Sequence, residues 1–169
     1  MDMFSDDYDD EEVENITSSL LKKVESCDIT YLALAQQNIT FNEYLKLTAT
    51  KKVEDLFFDF VKITDENGIV VSLDRIMARL PNVHNLVIKG GYRGESIFTA
   101  DSAKKLVELP RFEKLWALEL NEITSDFNVD DFCDFILVCF CKGGYRGESI
   151  FTADAAKKLV ELPRFEKLW

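Results

Sequence analysis

The chain has 169 residues, 47% of them apolar, so it is long enough and apolar enough to bury a core and is not disordered by composition. Its formal net charge of −11 disfavours nucleic acid and anionic membranes as partners, and no apolar run is long enough to predict a transmembrane helix. Residues 1–14 are strongly acidic, which predicts a disordered leader rather than a signal peptide and favours an intracellular location, cytoplasmic or nuclear.

The first predicted elements are a helix, a strand and a second helix. Residues 13–24 carry apolar side chains at helical spacing, so we expect a helix that covers the first strand, which centres on Leu32. Thr40 and Glu43 have the spacing of a capping box and predict the start of the next helix. The apolar residues of the two helices are Val13, Ile16, Leu20 and Val24 in the first, and Phe41, Tyr44 and Leu45 in the second.

Three more helices are predicted, each after a strand. Residues 65–68 are typical of a turn between strand and helix, and Pro81 and Pro110 follow predicted helix ends, where proline cannot continue a helix. The residues positioned to begin the helices are Ser72, Thr99 with Asp101, and Asn128 with Asp131. Their apolar stripes are Leu73, Ile76, Met77 and Leu80; Ala103, Leu106 and Val107; and Phe132, Phe135 and Ile136.

The predicted strands share one sequence pattern, apolar-x-x-Leu-x-apolar. The pattern centres on Leu32, Leu56, Leu86 and Leu118, and a fifth segment, 136–141, has Cys139 in place of leucine, with Cys141 on the same strand face. Successive centres lie 21 to 32 residues apart, the spacing expected for a strand plus a short helix. Alternating strands and helices predict an α/β fold, an irregular strand–helix array with a mostly parallel sheet.

The chain contains a near-identical duplication. Residues 142–169 repeat residues 89–116 at every position but one, where Ala155 replaces Ser102. Identity that extends to solvated positions indicates a recent tandem duplication or a mis-joined gene model. Because the second copy stops within a unit, we expect weak stability or self-association at this C-terminal edge. We also expect that a chain ending near Asn121 folds no worse.

No recognisable catalytic set is present. His84 is the only histidine, and Cys133, Cys139 and Cys141 lack the paired spacings of a zinc site, so we expect reduced cysteines and no metal. Residues 90–94 lie between a strand and a helix, as phosphate-binding loops do, but lack the Walker and dinucleotide patterns. We therefore expect no enzyme and no cofactor, and a small phosphate-binding enzyme is the least favoured alternative.

The sheet is the remaining candidate for a functional surface. Strand residues between the buried apolar ones should point to one face, where aromatic side chains flanked by polar ones suit protein binding. The candidate partner-binding residues are Tyr31, Asp55, Phe57, His84, Asn85, Trp116 and Glu119. The alternative is that the three aromatic side chains pack under a neighbouring helix.

Residues 38–136 carry segments that resemble a known family. The segments are LTATKKVEDLFF at 47–58, LPNV at 80–83, TADSAKKL at 99–106, LPRF at 109–112 and FNVDDF at 127–132. They are similar to the leucine-rich, F-box-associated-type domains that are greatly expanded in nematode worms. The resemblance implies a leucine-rich-repeat-like fold, and we assign this domain to residues 15–136. The duplication assigns residues 137–169 to a truncated copy of 84–116.

The resemblance also implies a function without catalysis. Such domains, where they follow an F-box, are thought to present substrates to a cullin-type ubiquitin ligase, although this chain shows no F-box. Our leading hypothesis is therefore a protein–protein interaction module that binds a protein partner, and not nucleic acid or a membrane. A degenerate duplication product with no selected function is the main alternative.

Overall fold

The computed structural model describes residues 16–90, 97–99, 101–123, 127–137 and 139. Its strands are β1 (Tyr31–Ala35), β2 (Asn38–Thr40), β3 (Asp55–Asp59), β4 (Lys62–Thr64), β5 (Asn85–Lys89) and β6 (Ala117–Asn121). Its helices are α1 (Ile16–Leu21), α2 (Phe41–Leu47), α3 (Leu73–Met77), α4 (Ser102–Glu108) and α5 (Val129–Ile136). Strands and helices alternate along the chain, so the predicted α/β class is confirmed.

The main sheet is parallel and contains the four strands that the leucine pattern predicts. Its strand order is β1-β3-β5-β6. The register pairs Leu32 with Leu56, Leu56 with Leu86, and Leu86 with Leu118. The four leucines therefore form one row across the sheet, which we call the leucine row, and each is buried. This register confirms the mostly parallel sheet.

A second, smaller sheet pairs β2 with β4 in parallel, and the sequence pattern does not predict it. Each of these strands has three residues with one buried side chain, Ile39 or Ile63, which is too short for an alternation to show. The predicted turn at 65–68 is confirmed. The Asp65 carboxylate accepts hydrogen bonds from the backbone N–H groups of Asn67 and Ile69 at 2.9 and 3.0 Å.

The hydrophobic core lies on one side of the main sheet. Strand side chains alternate between buried and partly exposed, and the leucine row, Phe58 and Ile88 belong to the buried set. The Tyr44 ring of α2 meets Phe58 edge-on, with 6.2 Å between ring centroids. α3 packs against α4, and α4 against α5. The other side of the main sheet does not contribute to the core.

The starts of two helices agree with their predicted caps. Thr40 Oγ1 accepts a hydrogen bond from Glu43 N (3.2 Å), and Thr40 N donates to the Glu43 carboxylate (2.7 Å), which confirms the capping box. The Asn128 side chain accepts from two backbone N–H groups of α5, at 3.0 and 3.2 Å. Ser72 and Asp101 also hold N-cap positions, but their side chains make no capping hydrogen bond.

Each strand of the main sheet is followed by a residue with a left-handed backbone. These residues are Gln36 (φ 53°), Phe60 (φ 51°), Gly90 (φ 64°) and Glu122 (φ 56°). The N–H groups of Gln36 and Phe60 extend the sheet by donating to the last carbonyls of β3 and β5, at 2.8 and 2.9 Å. At Gly90 a Cβ atom would lie 2.6 Å from Glu122 Oε2 and 2.8 Å from a Phe60 ring carbon, so space as well as φ favours glycine there.

The predicted apolar stripe of the first helix is wrong. Ile16 and Leu20 are 64% and 62% exposed, whereas Leu21 is buried. The described helix has six residues and packs against α2, where Lys46 Nζ donates to the Leu21 carbonyl at 3.2 Å. The contact with α2 therefore selects a different side of the helix from the one that the apolar spacing indicates.

Two predictions near the later helices are also wrong. Val107 is exposed because the buried face of α4 is set by Ala103 and Leu106, and Val107 lies about 100° around the helix from Leu106. The predicted fifth strand, residues 136–141, is helical in its described part. Ile136 is the last residue of α5, and Cys139 lies in a π-helical turn that continues the helix. The helical spacing of the buried aromatic residues in α5 outweighs the short strand pattern.

α5 contributes to the core, and this packing argues against the expectation that a chain ending near Asn121 folds no worse. Phe132 lies 5.3 Å from Phe127 and 5.9 Å from Phe135, between ring centroids, and Phe135 meets Phe112 at 6.0 Å. Removing these buried rings would uncover apolar surface on α4. The acidic leader, the second copy and the predicted self-associating edge lie outside the described residues.

Candidate functional site

The side of the main sheet that faces away from the core carries three rows of side chains. We call it the open face. From β1 to β6 the first row is Tyr31, Asp55, Asn85 and Ala117; the second is Ala33, Phe57, Val87 and Glu119; the third is Ala35, Asp59, Lys89 and Asn121. None of these twelve residues is buried, although parallel sheets are usually covered on both faces.

The residue directly before each strand forms one border of the open face. We call this border, Thr30, Glu54, His84 and Trp116, the leading edge. The carbonyls of Thr30, Glu54 and His84 each accept two N–H groups from the start of the next strand, at 2.6 to 3.1 Å. These repeated hydrogen bonds hold the leading edge in line with the first row.

The structure brings all seven predicted site residues together. Five of them lie on the open face, and His84 and Trp116 lie on the leading edge. Tyr31 is 63% exposed and Trp116 is 46% exposed, so the alternative that these side chains pack under a helix is wrong for both. Phe57 is half-buried, and Lys89 Nζ lies 5.0 Å from the centroid of its ring.

The same two-residue strand alternation marks site residues that the sequence prediction omitted. Asp59 and Lys89 occupy the third row, and Ala33, Ala35 and Val87 complete a floor of small and medium side chains. Asp59, Ala33 and Val87 lie two residues, and Lys89 and Ala35 four residues, from a predicted member on the same strand, so the alternation could have identified them.

Only some carboxylates of the open face and its leading edge have a polar partner among the described residues. Glu119 Oε1 accepts a hydrogen bond from Asn121 Nδ2 at 3.0 Å, and Glu54 Oε2 lies 3.9 Å from His84 Nδ1. By contrast, the carboxylates of Asp55 and Asp59 have no hydrogen bond or ion pair with any described residue. These two groups can therefore accept donors from another molecule.

A cleft of about 280 Å³ lies away from the open face, where β2 meets α2 and β4 meets α3. Its cation, Arg75, lies 3.7 Å from Asp65 and 4.6 Å from the centroid of the Phe41 ring, so it is already engaged. The polar lining and the engaged arginine give no constellation for catalysis.

The described cysteines do not form a site. Cys27 is half-buried, Cys133 and Cys139 are buried, and no disulfide joins these three described cysteines. Burial raises the pKa of the Cys139 thiol, and the backbone of Phe112 and the charge of Arg111 offset this only in part. Within the described ranges no group of three or more His, Cys, Asp or Glu residues could hold a metal ion. The loop at residues 90–94 lies outside the described residues beyond Gly90.

No model of a known protein family, no curated protein and no solved structure matches this chain. In the part of the chain that the structure describes, none of the helices has the length and apolar character needed to cross a membrane.

Proposed function

We propose that the chain is a non-catalytic protein–protein interaction module and that its partner binds the open face. The observation that supports this proposal is that one whole side of a parallel sheet carries no buried residue. Apolar and charged side chains are mixed on that side, as they are at protein interfaces. The exposed rings of Tyr31 and Trp116 are the residue types that contribute most to binding energy when a partner covers them.

We further propose that the partner is a substrate or adaptor of a ubiquitin ligase, as the resemblance to F-box-associated-type domains implies. The acidic open face agrees with the expectation that nucleic acid and anionic membranes are not partners. An intracellular location belongs to the same proposal.

Affinity capture from the native cell extract tests the proposal. The tagged full chain would be compared with Tyr31→Ala/Trp116→Ala, which removes the two exposed rings of the site. Leu20→Ala/Ile69→Ala is the matched control, because these side chains are 62% and 63% exposed but lie outside the main sheet. We expect a partner that is lost with the first variant and retained with the second.

The identity of the captured proteins tests the finer proposal. Cullin or F-box-adaptor subunits among them would support a role in a ubiquitin ligase. A partner recovered equally with both variants would place binding elsewhere on the molecule and contradict the use of the open face. An empty capture from an expressed, folded chain would favour a duplication product with no selected function.

A further inference from the structure

The open face and its leading edge carry more negative than positive charge. Glu54, Asp55, Asp59 and Glu119 contribute four carboxylates, and among the described residues of this surface Lys89 contributes the one ammonium group. Asp55 and Asp59 have no described partner, and they lie on one strand, four residues and thus about 13 Å apart. Their charges are available across most of the length of the face.

The aromatic side chains of this surface differ in whether a described cation lies over the ring. The Phe57 ring has the ammonium group of Lys89 5.0 Å from its centroid. Tyr31 and Trp116 are more exposed, and no cation of the described residues lies over either ring. Tryptophan and tyrosine faces attract cations at least as well as phenylalanine does, so the two rings are free positions for a partner's basic side chains.

The spacing of these groups suits an extended basic segment. Tyr31 and Trp116 stand at opposite margins of the sheet, three strand spacings or about 14 Å apart, and Glu54 and Asp55 lie between them. In an extended chain, side chains on one side recur every 7 Å or so, so three basic side chains at alternate positions span this distance. The alanines of the face give their aliphatic stems a shallow floor.

We infer that the partner binds the open face through a protein segment with closely spaced Lys and Arg side chains, an inference that rests on the function proposed above. Arginine suits the site best, because it pairs with a carboxylate through two hydrogen bonds and also stacks on an aromatic ring. An acidic partner would meet four carboxylates and a single ammonium group, and like-charge contacts of this kind disfavour a complex.

Selection from a displayed random peptide library tests this inference with the intact chain as bait. The enriched peptides would then be measured against Asp55→Asn/Asp59→Asn, which keeps shape and removes two charges. Glu66→Gln/Glu113→Gln is the control, since it removes two exposed charges that lie outside the main sheet. Tyr31→Ala/Trp116→Ala reports whether a peptide uses the open face at all.

We expect enrichment of Lys and Arg at alternate positions. We also expect affinity to fall about tenfold with Asp55→Asn/Asp59→Asn and on raising salt from about 0.05 to about 0.5 M, but to stay unchanged in the control variant. Neutral or acidic peptides that depend on Tyr31 and Trp116 would overturn the inference and leave the proposed function standing. Peptides that depend on none of the open-face residues, or no enrichment, would count against both.

Discussion

Tyr44 connects α2 to the core through a buried hydroxyl, and its replacement by phenylalanine gives a two-part prediction. Tyr44 is fully buried, and its hydroxyl donates to the carbonyl of Ile76 at 2.9 Å. That carbonyl also accepts the backbone N–H of Arg79 at 3.2 Å, so it keeps a partner when the hydroxyl is removed. We therefore expect Tyr44→Phe to lower the free energy of unfolding at pH 8 by only about 1 kcal/mol.

The second part concerns alkaline pH. Burial raises the pKa of the Tyr44 phenol well above its ordinary value, and the nearby charge of Arg79 lowers it by less. In the unfolded chain the phenol should titrate near pH 10. Because the pKa of the phenol is higher in the folded chain, the unfolded chain ionises first. The free energy of unfolding therefore keeps its full value below about pH 10 and falls as the pH rises above it. The loss reaches about 1.4 kcal/mol one pH unit above the unfolded pKa.

The phenylalanine variant lacks this titration, so its stability deficit should disappear between pH 8 and about pH 11. Urea unfolding followed by circular dichroism at both pH values measures the difference, in which the other titrating groups cancel. Tyr31→Phe is the control at pH 8: its phenol is exposed and has no hydrogen bond to a described residue, so we expect a change below about 0.5 kcal/mol. A deficit for Tyr44→Phe that stays constant from pH 8 to 11 would refute the reasoning.

Two further pairs of variants test local features of the fold by urea unfolding. Thr40→Ala removes a side-chain cap and should cost about 1 kcal/mol, whereas Ser72→Ala, at an N-cap without a side-chain hydrogen bond, should cost much less; equal costs would contradict the assignment of the capping box. Gly68→Ala and Gly90→Ala both place a Cβ at positive φ, but only Gly90 lacks space for it, so Gly90→Ala should cost about 1 to 3 kcal/mol more. A larger loss at Gly68 would show that the backbone conformation, and not the contact, limits substitution.

The main sheet could be predicted because its sequence signal repeats. A buried leucine with an apolar residue two positions later recurs four times, and each unit must bury the same strand face against the same core. The buried stripe of α3 was predictable for a related reason, since Leu73, Ile76, Met77 and Leu80 combine helical spacing with a proline stop. Repetition and periodicity are properties of the chain itself, so they can be read without the structure.

Features that depend on tertiary contact could not be predicted in the same way. The residue types of Gln36, Phe60 and Glu122 do not favour a left-handed backbone. At Gln36 and Phe60 this conformation accompanies backbone hydrogen bonds that continue the sheet beyond its strands, which the sequence does not reveal. The buried side of α1 is likewise set by α2 rather than by apolar spacing. The sheet face could be proposed as a surface from the strand pattern, but the placement of Asp59 beside Lys89 on it required the register between β3 and β5.

The leucine pattern that the four strands share distinguishes the residues that form the fold from those that give the surface its chemistry. All four positions of the leucine row carry the same side chain, and each is buried. The leading edge lies two positions before the leucine row, and its first three carbonyls accept the same pair of N–H groups, yet its side chains are a hydroxyl, a carboxylate, an imidazole and an indole. Since the backbone alone makes these hydrogen bonds, they do not depend on which side chain follows, and exchanging the exposed Thr30 should change stability by less than about 0.5 kcal/mol. A constant scaffold with a chemically diverse border suits recognition of a partner, because binding specificity can then change without a change in the core.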